Sequence, residues 1–326
     1  MGKILIIRFS SIGDIVLTTP VIRCLANQTE SEIHFLTKKS FASVLAGNPY
    51  ISKLWSTDGN DRVLVEQLRA EEFDWIFDMH KNSLSRHYCA QLDRPAIGFD
   101  KINVRKWLMV NLKVDLLPQK HLVERYFASL EPKGIHYDGL GLDYFLPDLI
   151  KEQSSALIPT KPFITIALGA AHATKQIPIA GIREICSQID APIVLLGGPK
   201  EKSLGDEISA SFAHVVNTCG QFSLAESAFA VQKSRILVTP DTGMMHIGAA
   251  LRKKMIVVWG NTIPQFGMYS FYPNGFNLAT NYEVNGLNCR PCSKIGFKAC
   301  PYGHFRCMLE QEYHRMAAEI EAVLGA

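Results

Sequence analysis

Short apolar runs rich in β-branched residues alternate along this chain with stretches whose apolar positions recur at helical spacing. Lys3 to Arg8, Glu32 to Thr37, Asp74 to Met79 and Ala96 to Phe99 read as strands. Helical periodicity covers Val21 to Asn27, Asp61 to Ala70, Val104 to Lys113 and His121 to Pro132. The rhythm lapses between Leu142 and Pro162, a Pro- and Ser-containing stretch that reads as a linker, and then restarts. Strands are expected at Phe163 to Leu168, Pro192 to Gly197, Ile236 to Val238 and Met255 to Trp259. Helices are expected at Ile179 to Ile189, Lys202 to Phe212, Leu224 to Gln232, Met244 to Leu251 and Leu309 to Leu324. Strands that are apolar throughout, each followed by a helix, imply mostly parallel sheets covered on both faces.

This pattern predicts an α/β protein of two doubly wound domains. Their expected bounds are 1–155 and 160–308, with a last helix at 309–326 packing back toward the first domain. The length of 326 residues accommodates two cores. Ligands of such folds lie at the carboxyl ends of the strands, here in a crevice between the domains.

Composition narrows the class. An apolar content of 47% and a charged content of 20% are those of a globular protein, and no apolar run is long enough for a membrane span. The start, M-G-K-I-L-I-I-R-F, reads as a first strand rather than a signal peptide, so a cytoplasmic protein is expected. A net charge of +3 argues against nucleic acid as a partner and is compatible with anionic ligands.

The candidate chemistry sits where strands end. The first strand runs into R-F-S-S-I-G-D, placing Ser10, Ser11, Gly13 and Asp14 at a strand end; G-x-G-x-x-G is absent. A carboxylate there can act as a general base or simply serve the first turn of a helix. In the second half, L-G-A-A-H-A-T-K places Gly169, Thr174 and Lys175 at the equivalent point. A lysine there can neutralise a departing diphosphate. The next strand ends in L-L-G-G-P-K-E, with Glu201 where an acidic residue often binds ribose. The stretch T-P-D-T-G-M-M-H-I-G-A-A-L turns a strand into a helix, whose free N–H groups and dipole suit a diphosphate. The alternative is that Asp241 or Thr242 only caps that helix. No D-x-D pair offers a bridge for Mg²⁺.

Together, S-S-I-G-D, G-x(5)-K-x-x-P, L-L-G-G-P-K-E, C-G-x-x-S-L-A-E from Cys219 and T-P-D-T-G-M-M-H-I-G-A-A-L resemble glycosyltransferase family 9, the ADP-heptose:lipopolysaccharide heptosyltransferases. The resemblance runs from about Lys3 to Trp259. It implies a GT-B fold, two Rossmann-like domains facing a central cleft, and an inverting, metal-independent transfer of heptose or a related sugar. The implied donor is ADP-heptose, and the implied acceptor is a lipid-linked anionic saccharide of the lipopolysaccharide inner core. Asp14 would deprotonate the acceptor hydroxyl. Lys175 would stabilise the leaving diphosphate, and Thr242 and Gly243 would hold it. Asp241 would face the donor sugar's hydroxyls, Glu201 the ribose and Phe222 the adenine; His246 belongs to the same motif. The chain departs from the family's K-R-W-P at Lys175, Gln176, Ile177 and Pro178, and has Leu168 where proline is frequent, which leaves the donor sugar open.

On the acceptor side, F-D-M-H-K-N-S-L-S-R contributes Arg86, and G-F-D-K-I-N-V-R-K contributes Lys101 and Arg105, a basic set suited to carboxylates and phosphates. With Trp107, Leu108 and Val110 beside it, the second segment could touch the inner face of the cytoplasmic membrane; a solvated helix with one buried face is the simpler reading. Cys289, Cys292, Cys300 and Cys307 form C-x2-C-x7-C-x6-C near His304, a set open to a structural zinc ion, to reduced thiols or to a redox pair, with no cofactor expected in catalysis. Two rivals remain at this point: an NAD(P)-dependent oxidoreductase on the same doubly wound fold, and a non-catalytic sugar-nucleotide binder.

Overall fold

The computed structural model describes residues 2–147 and 155–325. Part of the predicted linker therefore lies outside the described residues. Contacts divide the chain into two compact units, Met1–Lys101 with Lys120–Phe145, and Ile102–Gln119 with Leu146–Ala326.

The first unit opens with β1 (Gly2–Ile7), α1 (Ile12–Val16), α2 (Thr19–Gln28), β2 (Ser31–Lys38) and β3 (Lys53–Thr57). It continues with α3 (Arg62–Ala70), β4 (Trp75–Asp78), α4 (Ser83–Leu92) and β5 (Ala96–Gly98). After α5 (Asn103–Leu112), which belongs to the second unit, α6 (Leu122–Ala128) completes the first. Its sheet is parallel throughout, in the order β3-β2-β1-β4-β5. The core gathers on predicted elements around Leu5, Ile7, Leu36, Leu68 and Ile76, and takes in Phe9 and Tyr88, which lie outside them.

The second unit carries β6 (Ile164–Ala167), α7 (Ile179–Ser187), β7 (Ile193–Leu196), α8 (Lys202–Ser211) and β8 (Val215–Asn217). Next come α9 (Leu224–Lys233), β9 (Leu237–Pro240), α10 (Gly243–Ala250), β10 (Met255–Trp259) and β11 (Ala279–Glu283). The chain closes with α11 (Arg306–Leu309) and α12 (Tyr313–Leu324). The order β11-β10-β9-β6-β7-β8, again all parallel, is the doubly wound arrangement of dinucleotide-binding folds. Pro240 closes β9 opposite Val258, at a strand end where its missing N–H breaks no ladder.

Two expectations about domains are corrected. The residues 102–119 join the second unit, because Ile102 and Leu117 are buried with Ile263 and Phe266. The terminal helix, expected to pack back toward the first domain, packs on the second unit's own core: Tyr313, Met316, Ala317 and Ile320 are buried beside Ile182 and Ile185. Gly181 makes that docking close, since a Cβ there would lie 2.2 Å from the Tyr313 ring.

Three strands escape the sequence pattern, β3, β8 and β11, and all three are sheet edges. An edge strand takes ladder bonds from one side only and need not be apolar throughout; β11, A-T-N-Y-E, has no buried residue. Helix α4 is missed because only Ser85, Tyr88 and Leu92 are buried along it. Its start was nonetheless written in the chain, where Asn82 and Ser85 cap one another.

Candidate active site

In each unit the strand order reverses once, between β1 and β4 in the first and between β6 and β9 in the second. Loops leaving two such strands diverge to opposite faces of the sheet and open a crevice at their carboxyl ends. Of the polar residues singled out in the sequence, Asp14 follows β1 at the first point, and Lys175 and Asp241 follow β6 and β9 at the second.

At the first point, β1 runs straight into Arg8, a buried residue with 8% of its surface exposed. Its Nε donates to the Ser10 carbonyl at 2.9 Å and its Nη1 to the carbonyl of Met79, tying together the loops that follow β1 and β4. Its Nη2 pairs with Asp14 Oδ1. The other carboxylate oxygen accepts from the Ser11 backbone N–H at 3.1 Å and from Ser11 Oγ at 2.8 Å. Asp14 therefore does serve the first turn of α1, as the simpler reading had it, and it also bears a buried cation's partner charge. Burial pushes its carboxyl pKa up, but Arg8 and Ser11 together outweigh that and hold it below the usual carboxylate range. The side chain keeps 19% exposure.

His80 and Lys101 surround this pair. His80 Nδ1 accepts from the Phe9 N–H at 3.3 Å, and burial, then the Arg8 and Lys101 charges, push its pKa down to about 4, so the ring is neutral at neutral pH. Lys101 donates to the Lys81 carbonyl at 3.2 Å; burial and then Arg8 lower its pKa. Asp78 is fully engaged in its own loop, accepting from His80 N, Lys81 N and Ser85 Oγ. Arg86 is exposed on α4, and Arg105, predicted to act with Lys101, sits on α5 in the other unit. Arg8 and His80 are the members of the site that sequence reasoning passed over. Arg8 was readable as a charge at the end of an apolar strand, and His80 stood inside a quoted motif without a role.

At the second point, Lys175 follows β6 and Asp241 follows β9, and the two meet. Lys175 Nζ donates to Asp241 Oδ2 at 2.5 Å, and Thr262 Oγ1 donates to the same oxygen at 2.8 Å. Both side chains are mostly buried. Thr242 occupies the N-cap of α10, but its hydroxyl lies 3.2 Å from Thr239 Oγ1 and does not cap the helix. The first-turn N–H groups from Gly243 onward receive no bond from that side chain, which weakens the reading of Thr242 as a cap and leaves an electropositive helix start beside an ammonium group.

Glu201, after β7, accepts from the Gly198 N–H at 2.9 Å and lies against Gly169, where a Cβ would come within 3.4 Å of its carboxyl carbon. The loops after β7 and β8 abut at Pro199 and Gly220, and half-buried Phe222 follows on the latter. Thr174 is not presented to this crevice. It is buried, and both its hydroxyl and its N–H are engaged with the backbone of Phe297. His246 is buried within α10. The C-G-x-x-S-L-A-E segment includes the start of α9, with Ser223 and Glu226 forming a capping box.

The four C-terminal cysteines are free thiols, with Cys289 Sγ 3.7 Å from His304 Nε2. Burial pushes the Cys307 thiol up to about 12 and also raises Cys292. Among the described residues, no three His, Cys, Asp or Glu side chains are gathered so as to hold a metal ion. Nor is any helix among them long and apolar enough to cross a membrane.

Residues 62–302 match the family model described as glycosyltransferase family 9 (heptosyltransferase). Lipopolysaccharide heptosyltransferase 1 of Pseudomonas aeruginosa is 24% identical, over 99% of this chain and 98% of its own length. Among solved structures, a glycosyl transferase of family 9 from Veillonella parvula superposes with a TM-score of 0.77 at 18% identity, covering 99% of this chain and 97% of its own. The ADP-heptose lipopolysaccharide heptosyltransferase II of Escherichia coli does so with a TM-score of 0.74 at 20% identity, covering 99% and 98%.

Proposed function

Since this chain belongs to glycosyltransferase family 9 and is a glycosyltransferase of the GT-B fold, we propose that it transfers heptose, or a closely related sugar, from an ADP-sugar to an inner-core lipopolysaccharide acceptor, with inversion and without a catalytic metal. Membership of that family sets aside the oxidoreductase reading.

In this scheme the acceptor hydroxyl approaches Asp14, which takes its proton as the oxygen attacks the anomeric carbon of the donor. Attack from the face opposite the departing ADP inverts that carbon. Arg8 keeps Asp14 ionised before the acceptor arrives, and Ser11 fixes the carboxylate's orientation. Neutral His80 and the Lys101 ammonium line the same end of the sheet and suit the acceptor's anionic groups.

On the donor side, Lys175 and the start of α10 answer the charge that develops on the β-phosphate as the glycosidic bond breaks. Asp241 holds Lys175 in place, and Thr262 holds Asp241. Facing the phosphates itself would cost Asp241 like-charge repulsion, so it is assigned to the donor sugar's hydroxyls. Glu201 is assigned to the ribose and Phe222 to the adenine.

The observation that carries the reading is Asp14: a partly exposed carboxylate at a strand-order reversal, held ionised by a buried arginine. Its test is a transfer assay with ADP-heptose and a deacylated inner-core acceptor in the presence of EDTA, with the product's anomeric configuration read by NMR. Inverted product formed at the same rate with and without chelator is expected. Retained configuration, loss of activity in EDTA, or indifference of the protein's thermal stability to every ADP-sugar would each overturn its part of the proposal.

A further inference from the structure

Arg290 ties down the loop that follows β10, and through it the pair of Lys175 and Asp241. Its side chain is 8% exposed. Nε donates to the carbonyl of Gly260 at 2.6 Å and Nη2 to the carbonyl of Thr262 at 2.9 Å, while Nη2 also pairs with Glu283, the last residue of β11. One planar guanidinium thus spans two carbonyls on either side of Asn261, and the rigid fork fixes the course of the chain between them. The same loop is held from Cys292, whose N–H donates to the Asn261 carbonyl at 3.3 Å. Thr262, so placed, donates its hydroxyl to Asp241 Oδ2, the oxygen that also accepts from Lys175 Nζ.

The backbone that carries Arg290 is fixed in turn. Lys113 Nζ donates to the carbonyls on both sides of it, those of Cys289 at 3.2 Å and Pro291 at 2.6 Å. A few residues on, the segment closes on the other donor-side loop. The Phe297 N–H donates to Thr174 Oγ1 at 2.8 Å and its carbonyl accepts from the Thr174 N–H at 3.2 Å, immediately before Lys175. Gly296, at φ +121°, allows that approach, since a Cβ there would lie 2.5 Å from the His172 Cβ. Lys175 comes from the loop after β6, Asp241 from that after β9 and Thr262 from that after β10. Residues 289–297 grip the first and the last of these.

We infer that Arg290 is a positioning residue for the lysine that binds the diphosphate. It acts through Thr262 and Asp241 rather than on the donor itself. A lysine ammonium is a point charge on a flexible stem, so it stabilises a developing charge only as well as its surroundings hold it in advance. Asp241 supplies that hold, and Thr262 keeps the carboxylate turned toward Lys175. This role deepens the transfer reading and rests on its assignment of Lys175 to the diphosphate.

The test is calorimetric titration of the full-length protein with ADP. Arg290→Met should weaken ADP binding about tenfold, the scale of one charged hydrogen bond, but by less than about twofold in a Lys175→Ala background, where the lysine it acts through is gone. Thr262→Val keeps the shape and removes the hydroxyl. It should give the same loss with the same dependence on Lys175, and it decides the matter if Arg290→Met does not fold. Arg290→Lys keeps a charge beside Glu283 but cannot span both carbonyls, so it should not restore the affinity. Equal losses with and without Lys175 would mean a general loosening of the unit, and would overturn the positioning role while leaving the assignment of Lys175 standing. Full affinity in Arg290→Lys or in Thr262→Val would overturn it as well. If Lys175→Ala itself bound ADP as the wild type does, the assignment of Lys175 would fall and the role of Arg290 with it.

Discussion

Replacing Asp14 by asparagine removes one charge and leaves the side chain's size and shape intact. The carboxylate now answers two sets of donors, Arg8 on one oxygen and Ser11 on the other. An amide has a single acceptor oxygen, so one set must face an NH₂ group instead. Unit charges about 4 Å apart at an effective dielectric near 20 attract by about 4 kcal/mol. Asp14 is 19% exposed, so water and salt screen part of this, and a net loss of roughly 1–3 kcal/mol is expected. At about 2–4 °C per kcal/mol, the unfolding temperature should fall by roughly 2–12 °C. The catalytic effect should be far larger. A positioned base contributes about 10²–10⁴ in rate, so kcat should drop by that factor. Donor affinity should hardly change, because the groups assigned to the donor, Lys175 and the start of α10, belong to the other unit. The assay is steady-state release of ADP from ADP-heptose with acceptor present, alongside calorimetric titration of the donor. An asparagine variant that keeps more than a tenth of the wild-type kcat would refute the role of Asp14 as base and reduce it to a helix cap.

Other perturbations follow from the same contacts. Arg8→Met removes the cation that holds the Asp14 carboxyl low; since burial pushes that pKa up, the acid limb of kcat/KM against pH should move to higher pH, and an unmoved limb would separate Arg8 from the base. Lys175→Ala should weaken donor binding about 10- to 100-fold, the worth of one charged hydrogen bond to a phosphate, and titration of ADP-heptose measures it; unchanged affinity would place the diphosphate elsewhere. Gly181→Ala drives a methyl group into the Tyr313 ring and should cost about 1–3 kcal/mol by denaturant unfolding; a neutral result would show that α12 docks less closely than described. Glu71 is pulled down to about 2 by bonds from Lys3 and then Lys53, so its contribution is present above pH 4 to 5 and fades as pH falls toward 2. Glu71→Gln should accordingly be destabilised at pH 7, by about 1 kcal/mol or less, and match the wild type near pH 2 in urea titrations.

The chain by itself determined the alternation of strand and helix, because a strand buried on both faces must be apolar throughout and a helix on a sheet must repeat at 3.6. It determined which residues end up at strand ends, since Asp14, Lys175, Glu201 and Asp241 each follow an apolar run and a turn. It determined several helix starts as well, through side chains that bond within three residues, as at Asn82 and Ser223.

Only the tertiary structure decided which of those residues meet. Lys175 and Asp241 are 66 positions apart and pair because β6 and β9 are neighbours in the sheet, a fact of strand order that local periodicity does not carry. Arg8 reaches across to the loop after β4 for the same reason, β1 and β4 being adjacent. The sheet edges β3, β8 and β11 lacked the full apolar pattern because a neighbour on one side suffices to hold them. The sorting of α5 and α12 into the second unit turned on shape: Ile102 and Leu117 fit beside Phe266, and Tyr313 lies over Gly181. Burial leaves its mark on a sequence residue by residue, whereas pairing depends on how distant segments are brought side by side, and that is settled only when the sheets form.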